Sequence, residues 1–357
     1  MQLQLRGSKS PLASLLLIAP FFLWGTAMVA MKGVIPHTTP LFMAGFRLLP
    51  AGVLILLTGG FMARPQPQGW KAWSWIILFA LIDGSLFQGF LAEGLVRTSA
   101  GLGSVMIDSQ PLAVALLSLW LFQEHIGFWG WLGLGLGVAG ISLIGLPDEL
   151  IIHLLDSGVN IPAFNWENLL ASGEWLMLLA ALSMAVGTVL IRFVCKYADP
   201  VTATGWHMIL GGLPLWGISS AWESQQWQNL ALTEWLSLSY ATVFGSAIAY
   251  GFFFYFASSG NLTSLSSLTF LTPVFALLFG HLILSEVLSP IQWGGVLLTL
   301  VSIYLINQRE KLGGNKNMTS VPEITPSISQ SILEASGTKK VNSISVAVRE
   351  SEPEVLP

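Results

Sequence analysis

Arg47, Asp83, Asp108 and His207 are ionisable residues set inside long apolar stretches of a 357-residue sequence. Each must find a hydrogen-bonded partner, an opposite charge or a wet cavity, because an isolated charge in apolar surroundings is costly. Arg47 lies about six residues, or roughly 9 Å at 1.5 Å per residue, into its apolar run, too deep for an ordinary surface charge. Asp108 enters another run to a similar depth and Asp83 lies about midway along a third, so either carboxylate could compensate Arg47. Such groups line a solute or proton pathway or form a structural ion pair. Gln88 and Tyr250 add neutral hydrogen-bonding groups within apolar runs and are candidates for lining the same cavity. Imidazoles as a class can exchange protons near physiological pH, but one histidine, His207, does not establish proton coupling, and a packing or pathway role suits it better than catalysis.

Chemistry of other kinds lacks its residues. Paired aspartates, an HExxH metal motif and a Ser/His nucleophile pair are all missing from matching apolar runs, so no catalytic, cofactor or metal site is assigned. The single cysteine, Cys195, cannot form an intramolecular disulfide or a multi-cysteine metal site. Residues 135–140 spell GxGxxG, yet they lie inside an apolar run rather than after a strand. Close helix packing through Gly130, Gly133 and Gly137 is the better reading. Glu93 and Arg97 are four residues apart and are expected to pair on one helical face. Asn261-Leu262-Thr263 falls in a short loop and supports no glycosylation site.

The elements that position these residues follow from composition. The chain is 53% hydrophobic and 10% charged, with mean hydropathy +0.69, whereas soluble chains carry roughly 25% charge. Apolar runs at about 12–31, 41–59, 73–91, 102–122, 127–146, 173–193, 201–219, 236–257, 262–282 and 291–307 are long enough to span hydrocarbon of roughly 30 Å. An all-α integral membrane fold with ten transmembrane helices is therefore expected. Segment 1–11 is a short N-terminal extension, and the first run is too long for a signal peptide and lacks a cleavage site. Residues 147–172 form a polar connection with Asp148, Glu149, Asp156 and Glu167 and no Lys or Arg, separating 12–146 from 173–307. Residues 308–357 read as a disordered tail. The net charge of −4, with fifteen Lys plus Arg scattered between runs, offers no surface for nucleic acid.

Arg6, Lys9, Arg64, Lys71, Arg192, Lys196, Arg309, Lys311 and Lys316 fall on one side of the ten crossings, against Lys32 and Arg97 on the other. The positive-inside rule places both termini in the cytoplasm of a multi-pass protein of the cell membrane and the acidic connection outside. Trp70, Trp73, Trp75, Trp129 and Trp131 suit interfacial anchors.

The two halves repeat. A shift of 162 carries Gly25 and Thr26 onto Gly187 and Thr188, Gly89 and Phe90 onto Gly251 and Phe252, Pro111 onto Pro273, Glu124 onto Glu286, Trp131 onto Trp293 and Gly133 onto Gly295. A small gap brings Gly45 and Arg47 opposite Gly205 and His207. Five crossings are an odd number, so the second copy is inserted upside down relative to the first, giving two inverted five-helix repeats. Pro111 and Pro273 lie well inside their runs and are candidate helix breaks. Glu124 and Glu286, thirteen residues later, read as repeat-boundary residues rather than paired catalytic carboxylates.

On Trp24-Gly25-Thr26, Lys32, Arg47, Pro111, Glu124 and Gly133, and on Gly187-Thr188, Pro273, Glu286 and Gly295, the sequence resembles the drug/metabolite transporter superfamily, in particular proteins built from two EamA domains. The second copy carries Val186 opposite Trp24. The resemblance implies a ten-helix, two-repeat fold that moves metabolites, amino acids or drugs, generally outward. The expected function is a secondary transporter working by alternating access, with Trp24, Arg47, Asp83, Gln88, Asp108, His207 and Tyr250 along the solute pathway. A facilitative channel or uniporter, or a noncatalytic membrane assembly protein, is the alternative. The implied partners are a small-molecule solute and the lipid bilayer, with proton coupling open and oligomeric state without a signature.

Overall fold

A computed structural model describes residues 11–97, 106–145, 151–152, 173–258, 260–284 and 289–312. The expectations for residues 1–10, for most of the 147–172 connection, for Glu286 and for the tail beyond 312 lie outside the described residues. Among the described residues the main helices follow in order, with a short 3-10 turn at Ile35–His37 between the first two. They are α1 Pro11–Lys32, α2 Pro40–Phe61, α3 Gly69–Arg97, α4 Gln110–Phe122 and α5 Gly127–Gly145, then α6 Gly173–Val194, α7 Pro200–Trp222, α8 Leu232–Ala257, α9 over residues 262–284 and α10 Pro290–Leu312. Helices satisfy every backbone group internally, which is what an apolar chain needs in a solvent without hydrogen bonds. Five of them, at Pro40–Phe61, Gly69–Arg97, Trp175–Val194, Leu232–Ala257 and Pro290–Arg309, are long and apolar enough to cross a membrane. The chain is an all-α multi-pass membrane protein.

Several helices are irregular where the sequence looked continuous. α3 opens into a π-helical segment at Ala80–Phe87, and α8 does the same at Ala241–Ile248. The fourth apolar run breaks at a turn over 108–109, and α9 is interrupted by a 3-10 turn at Leu268–Phe270. Pro111 and Pro273 stand just after these breaks, in the first turn of α4 and of the Leu271–Leu284 part of α9. A first-turn proline removes an amide that has no helical partner anyway, so these prolines restart helices rather than kink them. The prolines inside helices are Pro20, Pro50 and Pro214.

Helix ends are held by carboxylates. Asp199 accepts from Val201 N at 2.9 Å and Thr202 N at 3.3 Å, capping α7, and pairs with Arg64 at 3.2 Å. Glu223, just past α7, accepts from Leu41 N and Phe42 N, both at 3.0 Å, and so caps α2 from another element. Between these two ends α2 and α7 run against each other with glycines at the crossing points. A Cβ on Gly52 would stand 2.6 Å from Gly205 O, and one on Gly45 would stand 2.9 Å from Trp216 N and 3.2 Å from Gly212 O. Only hydrogen fits there, and the two backbones touch.

Of the glycines in and around the GxGxxG segment most pack closely, Gly137 against Phe270 and Ser302, whereas Gly135 meets nothing within 4 Å. Gly133 lies against Ile306 and Ser302 of α10, Ser302 Oγ donates to Gly133 O at 2.6 Å, and Gly140 faces Gly295 and Thr299. Asn261 caps α9 by accepting from Ser264 N at 2.8 Å. Glu93 and Arg97 pair at 2.9 Å.

Candidate functional site

A cavity of about 90 Å³ lies among α1, α2, α3, α4, α6, α8 and α9. The first half contributes Trp24, Met31, Arg47, Phe87, Asp108 and Gln110, and the second contributes Met184, Tyr250, Thr269, Thr272 and Pro273. That is room for a few waters and falls well short of the roughly 300–1,000 Å³ usual for small-molecule pockets.

Arg47 is buried in this wall at 7% exposure. Its Nη2 donates to Gln88 Oε1, and its Nη1 lies 2.8 Å from the thioether sulfur of Met31, a weak acceptor. Among the described residues Arg47 makes no ion pair, and its Nε has no hydrogen-bond partner. The expected carboxylate partner is therefore replaced by an amide. Gln88 in turn donates from Nε2 to Tyr250 Oη at 2.7 Å. The Tyr250 ring meets Trp24 edge-on with centroids 5.1 Å apart. Arg47, Gln88, Tyr250 and Trp24 thus form a chain of contacts along one wall.

Asp108 sits in the turn before α4 and lines the same cavity. The sequence set it at a depth along a continuous helix, whereas it lies in a turn, and its carboxylate does not reach the guanidinium. Because α4 begins at Gln110, its N-terminus, the positive end of the helix dipole, lies beside Arg47 and Asp108. The site therefore presents a guanidinium, a carboxyl group, an indole and several neutral polar groups to whatever occupies it.

Asp83 and His207 occupy a different place. Asp83 Oδ2 and His207 Nε2 are 3.1 Å apart, and the His207 Nδ1 lies 2.7 Å from Thr204 O. Phe79 stacks on the imidazole at 4.1 Å between centroids, and Phe254 meets it edge-on at 5.4 Å. Neither residue lines the cavity. Asp83 is thus the partner of His207 and not of Arg47.

The sequence reading missed Gln110 and Thr272. Gln110 Oε1, Thr272 Oγ1 and Trp24 Nε1 have no hydrogen-bond partner among the described residues, and all three residues line the cavity. Gln110 also donates from Nε2 to Thr188 Oγ1 at 3.2 Å. The signal was available: each is the polar residue immediately before the repeated proline, and they stand 162 positions apart.

A polar cluster lies at one end of the helices. Glu124 accepts from Leu262 N at 3.2 Å, Thr263 N at 3.4 Å and Thr263 Oγ1 at 2.9 Å, and approaches Arg192 at 3.6 Å. Arg309 reaches Asn261 Oδ1 at 3.0 Å and Ser264 Oγ at 2.9 Å. Glu124 thus caps the start of α9, a structural role in keeping with its expected place at a repeat boundary. Nearby, burial, aided by the Asp199 carboxylate, pushes the Cys195 thiol up to about 12.

Comparison with known proteins gives a consistent picture. The model of the EamA-like transporter family matches residues 11–146 and again residues 171–308. An uncharacterized transporter of Synechocystis sp., sll0355, is 66% identical over 315 residues, covering 87% of this chain and 94% of its own. A WAT1-related chloroplastic protein of Arabidopsis thaliana, At3g02690, is 54% identical over 295 residues, covering 82% of this chain and 68% of its own. A protein of known crystal structure superposes with TM-score 0.66 over 84% of this chain and 97% of its own, at 16% identity, a likeness of fold alone.

Proposed function

The chain belongs to the EamA-like transporter family, with two EamA-like domains, and we propose that it exports a small metabolite by alternating access around the Arg47 cavity. The observation that carries this reading is the cavity, walled by both matched segments and lined by buried polar atoms that lack partners. Burying such atoms costs about 1–3 kcal/mol each when they stay unpaired, so a ligand that pairs them is favoured there. The volume of about 90 Å³ is too small for a metabolite, which suits a closed state that must open to load and release. Arg47 suits a carboxylate, Asp108 an ammonium group and Trp24 an apolar body, which makes amino acids and related metabolites the solutes of choice.

Alternating access in this reading uses ten crossings arranged as two inverted repeats. Contacts that exchange under the repeat shift support the inversion. A shift of 160 carries Gly45 onto Gly205 and Gly52 onto Gly212, so the contact of Gly45 with Gly212 becomes that of Gly205 with Gly52. The π segments of α3 and α8 begin 161 residues apart. Both termini face the cytoplasm of a cell membrane in this arrangement. The grouping of Arg192 and Arg309 with Glu124 at one end, after Arg64 with Asp199, supports it.

The purified chain in sealed vesicles, offered a mixture of labelled amino acids, should accumulate a subset of them and exchange it for preloaded solute. Vesicles that carry folded protein and stay impermeable to every solute class would defeat the transport reading. Nonsaturating, unselective passage would replace alternating access with a channel.

A further inference from the structure

We propose that His207 and Asp83 form a proton-binding site distinct from the solute cavity, which holds one proton as a unit. A carbonyl oxygen only accepts, so the 2.7 Å contact with Thr204 O puts a hydrogen on His207 Nδ1. The 3.1 Å contact between Nε2 and Asp83 Oδ2 then holds one further proton, given either by an imidazolium to a carboxylate or by a carboxylic acid to a neutral imidazole. In both forms the pair is neutral overall. When that proton leaves, a nitrogen lone pair faces a carboxylate oxygen, the hydrogen bond is lost and one negative charge remains inside an apolar stretch. Asp83 has no second donor to soften this: its Oδ1 has no partner among the described residues, and Gly187 of α6 packs against the carboxyl group so closely that a side chain there would strike it.

The charged and titratable groups that face the pair are few. Tyr250 of α8 lies within electrostatic range of both Asp83 and Arg47, and Arg47 stands on α2. α6 presents Gly187 to Asp83, and the charges of α3 itself, Glu93 and Arg97, pair with each other near its end. The pair and the cavity are joined through the chain. Asp83 lies in the π segment Ala80–Phe87, Phe87 lines the cavity, and Gln88, the next residue, holds both Arg47 and Tyr250. π segments loosen the helical ladder and recur at functional sites. The link to transport rests on the transporter reading above, whereas the proton site does not.

The test counts protons without any solute. The full chain in lipid nanodiscs is titrated potentiometrically beside Asp83→Asn, His207→Gln, the double variant and His125→Gln. Each single variant at the pair should lose about one proton over roughly pH 5–9, the double variant no more than either, and His125→Gln should leave the pair's proton in place. Loss of about two protons in the double variant, or no loss in the singles, overturns the shared proton. Vesicle flux then separates the two readings: a chain that moves no solute of any class yet shows the shared proton refutes transport and keeps the site.

Discussion

Gln88 and Tyr250 are joined by a 2.7 Å hydrogen bond and stand 162 positions apart, the shift that superimposes the two halves of the sequence. Equivalent residues of two copies can touch each other only where an axis relating the copies passes between them. In the proposed inverted arrangement this bond marks that axis, and Arg47 hangs directly from it. Tyr250→Phe should therefore leave the Gln88 amide without its acceptor and destabilise the protein by about 1–2 kcal/mol. Gln88→Ala, which strands a buried guanidinium, should cost about 3–5 kcal/mol. Thermal unfolding in a fixed detergent distinguishes them, and equal losses would contradict this hierarchy.

Arg47→Ala should lower solute flux about tenfold or more at matched membrane abundance, corresponding to about 1.4 kcal/mol or more of lost binding. Lys32→Ala, at the end of α1, should change it little. Flux in vesicles is the measurement, and an Arg47→Ala protein with unchanged rate and solute preference would remove Arg47 from the pathway.

Gly52→Ala places a methyl group against Gly205 O and Ile209 N, so it should destabilise by about 1–3 kcal/mol. Gly60→Ala meets nothing within 4 Å and sits in the same helix, so it should be neutral or slightly stabilising. Denaturation of the two variants side by side checks the comparison. A Gly52→Ala protein as stable as Gly60→Ala would mean that α2 and α7 separate easily.

With its thiol held near 12, Cys195 is almost wholly protonated at pH 8, where an ordinary thiol is roughly a quarter ionised. Maleimide should modify it on the order of a thousandfold more slowly than an exposed cysteine, with the rate rising tenfold per pH unit through the alkaline range. Cysteines introduced at either terminus or near residue 160 can then be labelled selectively in intact cells. Labelling at residue 160 and protection of both termini is expected, and labelled termini in unbroken cells would reverse the proposed orientation.

Probes near the outer and inner ends of α4 and α9 should change separation reciprocally when a transported solute is added. The breaks at 108–109 and at Leu268–Phe270 are where the motion should localise. Pulsed spin-label distances give the readout. Fixed distances at both ends during demonstrated turnover would assign the breaks to binding rather than movement.

Much of this was legible in the sequence because a membrane span is written in composition. The runs at 41–59 and 201–219 correspond to Pro40–Phe61 and Pro200–Trp222. Trp24, Arg47, Asp108 and Tyr250 line one cavity, as a charge inside an apolar run implied. The identity of Arg47's partner was not legible, since depth along a helix leaves the direction around its axis unspecified. Asp83 has a suitable depth yet points to His207. The two π segments share a glycine-serine pair at the same place, Gly84-Ser85 and Gly245-Ser246, yet such a pair inside an apolar run also occurs in regular helix, and the extra residue in the turn is set by packing around it. The prolines were visible, but their position relative to the breaks depends on where each helix restarts, at Gln110 and at Leu271.

The crossing of α2 and α7, where Gly45 and Gly52 let two backbones meet Gly212 and Gly205, joins one half of the chain to the other without help from the 147–172 connection. Covalent continuity is then dispensable for assembly. Residues 1–152 and 173–357 made as two polypeptides in one cell should find each other in the bilayer and copurify. A bulky residue at position 52 or 205 should abolish that complementation long before it unfolds the uncut chain, whose linker keeps the fragments at high effective concentration.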